Sequence, residues 1–178
     1  MKGFALAALL ALAMSAATAA AAGAATPEER LAAAGLRLPE ANRPIGLYAP
    51  AVRSGNLLFL SGHGECGTLT KGKVGASLSL EEGRASAQRV ALCLLASAKA
   101  EIGELSRVAR VVKVTGFVNA APDFVQHPQV VNGFSEVLVT AFGEEAGRAA
   151  RSSVGMSGLP GDMAVEVEAI FELAEQGR

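Results

Sequence analysis

The chain has 178 residues, and its 16 lysine and arginine residues against 17 aspartate and glutamate residues give a net charge of −1. This length fits a single domain. Because the basic residues form no run and there is no tryptophan and only one tyrosine, the composition argues against a nucleic-acid-binding surface and so against a polynucleotide substrate.

Residues 1–24 have the pattern of a secretory signal peptide. Lys2 gives a short positive start, residues 4–14 form an unbroken apolar run, and small residues with Ala-x-Ala spacing follow. The apolar run is too short for a transmembrane helix, although a retained N-terminal anchor helix is the alternative interpretation. We therefore predict a periplasmic or secreted protein that has no membrane association once the signal is cleaved.

The sequence after the signal peptide divides into an extension at residues 25–44, a domain at residues 45–174 and a tail at residues 175–178. A short helix is predicted in the extension, because Pro27 suits a first helical position and acidic residues follow in the first turn. The regular alternation of strands and helices begins only with the domain.

The domain begins with a predicted β-hairpin. Segments 48–53 and 57–61 are mainly apolar, and the turn sequence Ser54-Gly55-Asn56 lies between them. The second strand leads into Ser61-Gly62-His63-Gly64. These glycines either let the backbone approach a ligand or another chain closely or form a simple tight turn.

Two amphipathic helices are predicted in the domain. The first begins with a capping box at Ser79 and Glu82, and the second has Pro128 at its first position and Gly143 at its end. Each has one apolar stripe at helical spacing. The stripes consist of Ala87, Val90, Ala91, Leu94, Leu95, Ala98 and Ile102 in the first helix, and of Val130, Val131, Phe134, Val137, Leu138, Ala141 and Phe142 in the second.

Three further strands complete the predicted domain. Residues 108–118 have apolar side chains on both faces, which is typical of a central strand. Residues 150–156 and 164–173 follow the second helix, and the last strand alternates apolar and polar residues. The order ββ-α-β-α-ββ predicts an α+β fold with two α-helices on one face of a mixed β-sheet. Apolar residues on the other face predict a homo-oligomer.

Cys66 and Cys93 could form one disulfide in an oxidising compartment. Cys93, however, falls inside an apolar helical pattern, where a buried free thiol is the commoner outcome. We therefore predict two free thiols. His63 and His127 have no Cys or His partner at ligand spacing, so we predict no metal site.

The two C-terminal strands carry the main candidate functional residues. Arg151 begins one strand, residues 158–162 are rich in turn formers, and Glu166 lies on the returning strand. We predict that this reversal brings Arg151 and Glu166 together. The alternative interpretation is that both are ordinary surface charges.

Six sequence segments occur in an order and at a spacing that one known family shares. They are Pro44-Ile45-Gly46-Leu47-Tyr48, Gly55-Asn56-Leu57-Leu58-Phe59-Leu60-Ser61-Gly62, Val131-Asn132-Gly133-Phe134, Ala150-Arg151-Ser152-Ser153-Val154, Leu159-Pro160 and Val165-Glu166-Val167-Glu168-Ala169. Over residues 45–173 the chain resembles the RidA family, YjgF and its relatives. The segment at residues 31–39 resembles that of a bacterial branch, and together with the signal peptide this predicts an exported member.

The resemblance implies a chorismate mutase-like fold and a homotrimer with active sites between subunits. It also implies hydrolysis of 2-imino or enamino acids to 2-keto acids and ammonia, without a cofactor. By resemblance, Arg151 binds the substrate carboxylate through two parallel charged hydrogen bonds, and Glu166 orients or deprotonates the attacking water.

Four more residues fall at substrate-binding positions by resemblance: Tyr48, Ser61, His63 and Asn132. The chain also differs from the family's pattern, with His63 in place of a common glutamine, Ser153 in place of a common cysteine and Gly155 in place of a common acidic residue. These differences bear on substrate scope. A non-catalytic binder of small carboxylates in the same cleft is the alternative function, and the net charge argues against endoribonuclease activity.

Overall fold

The computed structural model describes residues 25–175 and contains one mixed sheet with helices on it. The main elements are α1 (Pro27–Ala33), β1 (Ala51–Ser54), β2 (Leu57–His63), α2 (Leu80–Ile102), β3 (Val108–Asn119), α3 (His127–Gly147), β4 (Ala150–Met156) and β5 (Val165–Leu173). The predicted element order is confirmed. The predicted signal peptide and residues 176–178 of the predicted tail lie outside the described residues.

The sheet has the strand order β1-β2-β5-β3-β4. β3 and β4 are parallel because α3 connects them as a crossover, and the other neighbouring strands are antiparallel. The last strand of the chain therefore lies in the middle of the sheet, and β4 forms an edge.

The core lies between the sheet and the helices α2 and α3. Every residue of the two predicted apolar stripes is buried. The capping box of Ser79 and Glu82 forms as predicted, and Gly143 leaves the helical conformation with φ of 83°. This confirms a two-layer α+β fold with both long helices on one face.

Helix α1 packs on this helical layer. Leu31 is buried, the Nη1 group of Arg30 donates to the carbonyl of Ala141 at 3.3 Å, and Glu28 pairs with Lys99 of α2 at 3.0 Å. The N-terminal extension is therefore joined to the domain by apolar, hydrogen-bonded and ionic contacts.

The prediction of two free thiols is wrong, because Cys66 and Cys93 form a disulfide. The loop after β2 folds back over α2, where Arg89 binds the buried Glu65 carboxylate at 2.7 Å. Cys93 lies one helical turn after Arg89. The loop that places Glu65 at Arg89 therefore also places Cys66 next to Cys93, with 5.3 Å between their Cα atoms. The apolar helical pattern predicts that Cys93 is buried, but no pattern in the sequence predicts that the loop carrying Cys66 returns to α2.

Removal of the disulfide is expected to lower the free energy of unfolding by about 3 to 4 kcal/mol, because the bond closes a loop with a sequence separation of 27. The test compares denaturant unfolding of the wild type and the Cys66→Ala variant, each with and without reductant. Reductant should destabilise only the wild type. Equal midpoints for oxidised and reduced wild type would contradict the prediction.

The sheet face opposite the helices carries an exposed apolar row. Val52, Phe59 and Ile170 are cross-strand neighbours on this face, and Val52 and Phe59 remain 53% and 40% exposed. Such a row on a single chain is typical of a surface that contacts another protein copy.

Candidate functional site

A cavity of about 630 Å³ lies where the loop before β1 meets the ends of β2 and β5. Four of the predicted site residues line it: Tyr48, Ser61, His63 and Glu166. The fold thus brings together side chains that are up to 118 positions apart in the sequence. We call this cavity the β2–β5 cleft.

A β-bulge at the end of β2 shapes the cleft. Leu60 pairs with Ala169 and His63 with Val167, so β2 holds one more residue than β5 over this interval. The Ser61 hydroxyl donates to the carbonyl of Ala49 at 2.7 Å. This bond fixes the loop that carries Tyr48 against the strand end.

His63 is buried beside the bulge with a defined tautomer. Its Nδ1 lies 2.6 Å from the Ser61 carbonyl oxygen and must donate to it, and burial lowers the pKa of the imidazole. The neutral ring therefore keeps its lone pair on Nε2, which can accept a hydrogen bond.

Glu166 is half-buried in the cleft, close to the backbone of Gly62. A side chain at position 62 would collide with the Glu166 carboxylate, so glycine is needed for this approach. Burial raises the pKa of Glu166, and the negative charge of Glu168 raises it further. A carboxyl group with a raised pKa is a better proton acceptor once it is ionised.

Arg151 projects from the start of β4 towards α3 and is held by three acceptors. Its Nη1 donates to Asn132 Oδ1 at 3.0 Å and to Ser135 Oγ at 2.8 Å, and its Nη2 donates to the Pro128 carbonyl at 3.4 Å. Burial lowers the pKa of Arg151, but an arginine remains a cation at neutral pH.

These contacts leave one edge of the guanidinium available. Both N–H groups of Nη1 have acceptors, whereas the Nε–H and the second N–H of Nη2 have none among residues 25–175. The Nε and Nη2 groups form the fork that binds a carboxylate through two parallel hydrogen bonds. Arg151 is thus held in place with donors to spare on this fork, because Nε has no acceptor among residues 25–175 and Nη2 uses one of its two N–H groups, on the Pro128 carbonyl.

The prediction that the chain reversal brings Arg151 and Glu166 together is wrong within one chain. Arg151 pairs with Val114 of β3, and Glu166 pairs with Phe117 of the same strand. Because these partners are three residues apart and side chains alternate, the two charged residues lie on opposite faces of the sheet. They are also separated by about 10 Å along the strands and about 10 Å across them.

The predicted residues therefore form two groups. Tyr48, Ser61, His63 and Glu166 share the β2–β5 cleft, whereas Asn132 lies with Arg151.

Sequence analysis missed Ser135, which belongs to the group around Arg151. Ser135 follows Asn132 by three positions, which puts both on one face of a helix. That spacing was the signal available in the sequence.

Within residues 25–175, no group of three or more His, Cys, Asp or Glu side chains is arranged to hold a metal ion. The helices of this part of the chain are also too short or too polar to cross a bilayer.

The family described as "YjgF/chorismate mutase-like, putative endoribonuclease" matches residues 28–170. Protein TCP17 of Trypanosoma cruzi is 43% identical over 142 residues, which are 78% of this chain and 89% of that protein. A 2-iminobutanoate/2-iminopropanoate deaminase of Dermatophagoides farinae is 31% identical over 132 residues, covering 74% of this chain and 90% of its own.

A solved structure is similar as well. The crystal structure of Atu1372, a protein of unknown function from Agrobacterium tumefaciens, is 39% identical with a TM-score of 0.77, covering 83% of this chain and 92% of its own. The fold is thus the α+β chorismate mutase-like fold, with a five-stranded mixed sheet and helices packed on it. The chain belongs to the YjgF/RidA family.

Proposed function

We propose that the protein is a cofactor-free deaminase that hydrolyses 2-imino or enamino acids to 2-keto acids and ammonia. Arg151 binds the substrate carboxylate and thereby fixes the position of the C=N carbon. Glu166 accepts a proton from a water as the water oxygen bonds to that carbon, and the C=N π electrons move to the nitrogen, which takes up this proton from Glu166. In the resulting carbinolamine the hydroxyl proton passes to the nitrogen, the C–O bond becomes C=O, and the C–N bond breaks to release ammonia and the 2-keto acid. Tyr48, Ser61, His63 and Asn132 line the substrate position.

The free fork of Arg151 is the observation that carries this proposal. Asn132, Ser135 and the Pro128 carbonyl hold the guanidinium and leave the Nε–H and one N–H of Nη2 without an acceptor among the described residues. A planar carboxylate is the ligand that matches this edge. The deaminase from Dermatophagoides farinae at 31% identity supports the choice of reaction.

The two groups of site residues can act together only across an interface, so we infer that the functional unit is a homotrimer. In it, Arg151 and Asn132 of one copy face the β2–β5 cleft of the next, with its Glu166 and Tyr48. The exposed apolar row of Val52, Phe59 and Ile170 supports an association through the open sheet face. Sedimentation equilibrium measures the mass directly, and a monomer at working concentration would contradict this inference.

The decisive experiment is an assay of keto acid and ammonia from freshly generated 2-imino acid. An amino-acid oxidase supplies the imine, and the expected result is faster release of both products with the protein than without it. The proposal would be overturned if the protein did not accelerate imine hydrolysis at a concentration at which it binds the 2-keto acid.

A non-catalytic binder of small carboxylates is the second candidate. It is favoured by the separation of Arg151 from Glu166 within one chain, since binding needs only the fork of Arg151. Saturable binding of 2-ketobutyrate with no effect on imine hydrolysis is the result that selects this function.

Endoribonuclease activity, which the family description names, has less support. The chain has a net charge of −1, and a phosphate backbone is bound mainly by clustered basic side chains. RNA cleavage that remains after rigorous purification and disappears in Arg151→Ala would restore this activity as a candidate.

We also propose that the protein is exported to the periplasm. The disulfide between Cys66 and Cys93 supports this, because disulfides persist in oxidising compartments. Mass spectrometry of the protein from the periplasmic fraction should give a chain that begins near residue 25. Recovery of the protein from the cytoplasm with its N-terminus intact would contradict export.

Ser135→Ala is expected to raise KM for the imino acid roughly ten-fold with a smaller effect on kcat, because Arg151 loses one of its acceptors. Ser135→Thr keeps the hydroxyl and should restore KM. Thr140→Ala is the matched control, because that hydroxyl, also on α3, has the Glu136 carbonyl as its one partner in the part of the chain that the structure describes. Equal KM values for Ser135→Ala and wild type would contradict a positioning role for Ser135.

A further inference from the structure

A second cavity, of about 460 Å³, lies at the end of β4 beside the start of α3. Its lining includes Lys73, Phe124, His127, Gly155 and Met156, and none of these belongs to the β2–β5 cleft. We call it the β4-end cavity. It also has no residue in common with the acceptors that hold Arg151.

Lys73 is held in a fixed position at this cavity. Its Nζ donates to Asn119 Oδ1 and to the Ser157 carbonyl, each at 2.7 Å. Asn119 is fully buried, and its amide nitrogen donates to Asp162 at 3.0 Å, so the acceptor itself cannot swing away. An ammonium group that is already ordered loses little conformational freedom when it binds a ligand.

The ammonium group of Lys73 retains unused binding capacity. It has three N–H donors, and only two have acceptors among the described residues. No carboxylate in residues 25–175 lies within ion-pair distance of it, and no acidic residue lines the cavity. The third donor therefore suits an anionic acceptor from outside the chain.

The walls of the cavity are aromatic and apolar. The His127 ring stands edge-on to Phe124 with a centroid distance of 5.5 Å. A side chain at position 155 would collide with this ring, so Gly155 is what allows the imidazole to form one wall. Together with Met156, these groups provide a surface for an apolar body next to the cation.

We propose that the β4-end cavity binds a small organic carboxylate with an apolar body, independently of Arg151. The Lys73 ammonium group donates to the carboxylate, and Phe124, His127 and Met156 contact the remainder of the molecule.

The test is a titration of the purified full chain with benzoate and with benzamide, its neutral analogue, followed by NMR of the backbone amides. Benzoate should bind saturably with the largest shifts at Gly155 and Ser157, and about ten-fold or more tightly than benzamide, because only benzoate accepts a charged hydrogen bond through a carboxylate. Lys73→Met should abolish this preference. Lys71→Met, a matched change at an exposed neighbour, should keep it, and so should Arg151→Ala.

Three results would overturn the proposal. They are the absence of saturable shifts at Gly155 and Ser157, equal affinities for benzoate and benzamide in the wild type, and a preference that survives Lys73→Met but is lost in Arg151→Ala. The last result would assign the carboxylate to Arg151 instead. None of these measurements depends on imine hydrolysis, so their outcome neither supports nor contradicts the proposed deaminase activity.

Discussion

Arg151→Lys is expected to lower kcat/KM for 2-imino acids by about 100-fold or more. Lysine keeps the positive charge but offers a single ammonium point instead of a planar fork, so it cannot form two parallel bonds with the carboxylate. Lysine also cannot reproduce the three contacts to Asn132, Ser135 and Pro128 that set the angle of the guanidinium. Binding of 2-ketobutyrate, measured by calorimetry, should weaken in parallel.

Arg148→Lys is the matched control for this experiment. It makes the same chemical change three positions away, on a side chain that is 76% exposed and pairs, among residues 25–175, only with Glu144. Exposed pairs of this kind contribute little, so activity and thermal stability should stay at wild-type values. The role of Arg151 would be refuted if Arg151→Lys kept most of its kcat/KM, or if both variants lost activity equally.

The helices and the core could be predicted because their signals are local. The apolar stripe that includes Leu94 of α2 and the one that includes Phe134 of α3 repeat at helical spacing within one continuous segment, and all their members are buried. The Ser79–Glu82 capping box and the break at Gly143 likewise depend on only a few adjacent residues.

The relation between Arg151 and Glu166 could not be predicted, because it depends on strand register. The sequence indicates a strand, a turn and a strand, which predicts a chain reversal that brings the two residues together. In the structure β3 lies between the two strands and pairs with both. Whether the two side chains share a face then depends on whether their partners, Val114 and Phe117, are an odd or even number of positions apart, and no local pattern encodes this.

The disulfide and Ser135 were missed for different reasons. Cys66 reaches Cys93 only because its loop is held on α2 by contacts such as that of Glu65 with Arg89, and these contacts are far apart in the sequence. Ser135, in contrast, could be placed on the same face of α3 as Asn132 from its spacing in the sequence. It acquires a role only when β4 brings Arg151 beside that face.

Glu166→Gln is expected to lower kcat by about 10²- to 10⁴-fold, the range for loss of a general base, with little change in 2-ketobutyrate affinity. Glutamine keeps the shape of the side chain and its place beside Gly62, but it cannot accept the proton of the attacking water. The affinity should survive because the Arg151 fork is untouched. Glu172→Gln, on the same face of β5, is the control and should leave kcat unchanged.

The pH dependence gives a second, independent measure of the same group. A base works only when ionised, so kcat/KM should fall as the pH drops through the pKa of Glu166, which burial and the charge of Glu168 raise. These two causes move the acidic limb to higher pH, whereas the Arg151 cation that the proposed trimer places at the cleft moves it to lower pH. Glu168→Gln removes the smaller of the two raising causes and leaves the burial and the Arg151 cation unchanged, so the limb should move to lower pH. An acidic limb that stays in place in Glu168→Gln would show that a group other than Glu166 controls the reaction.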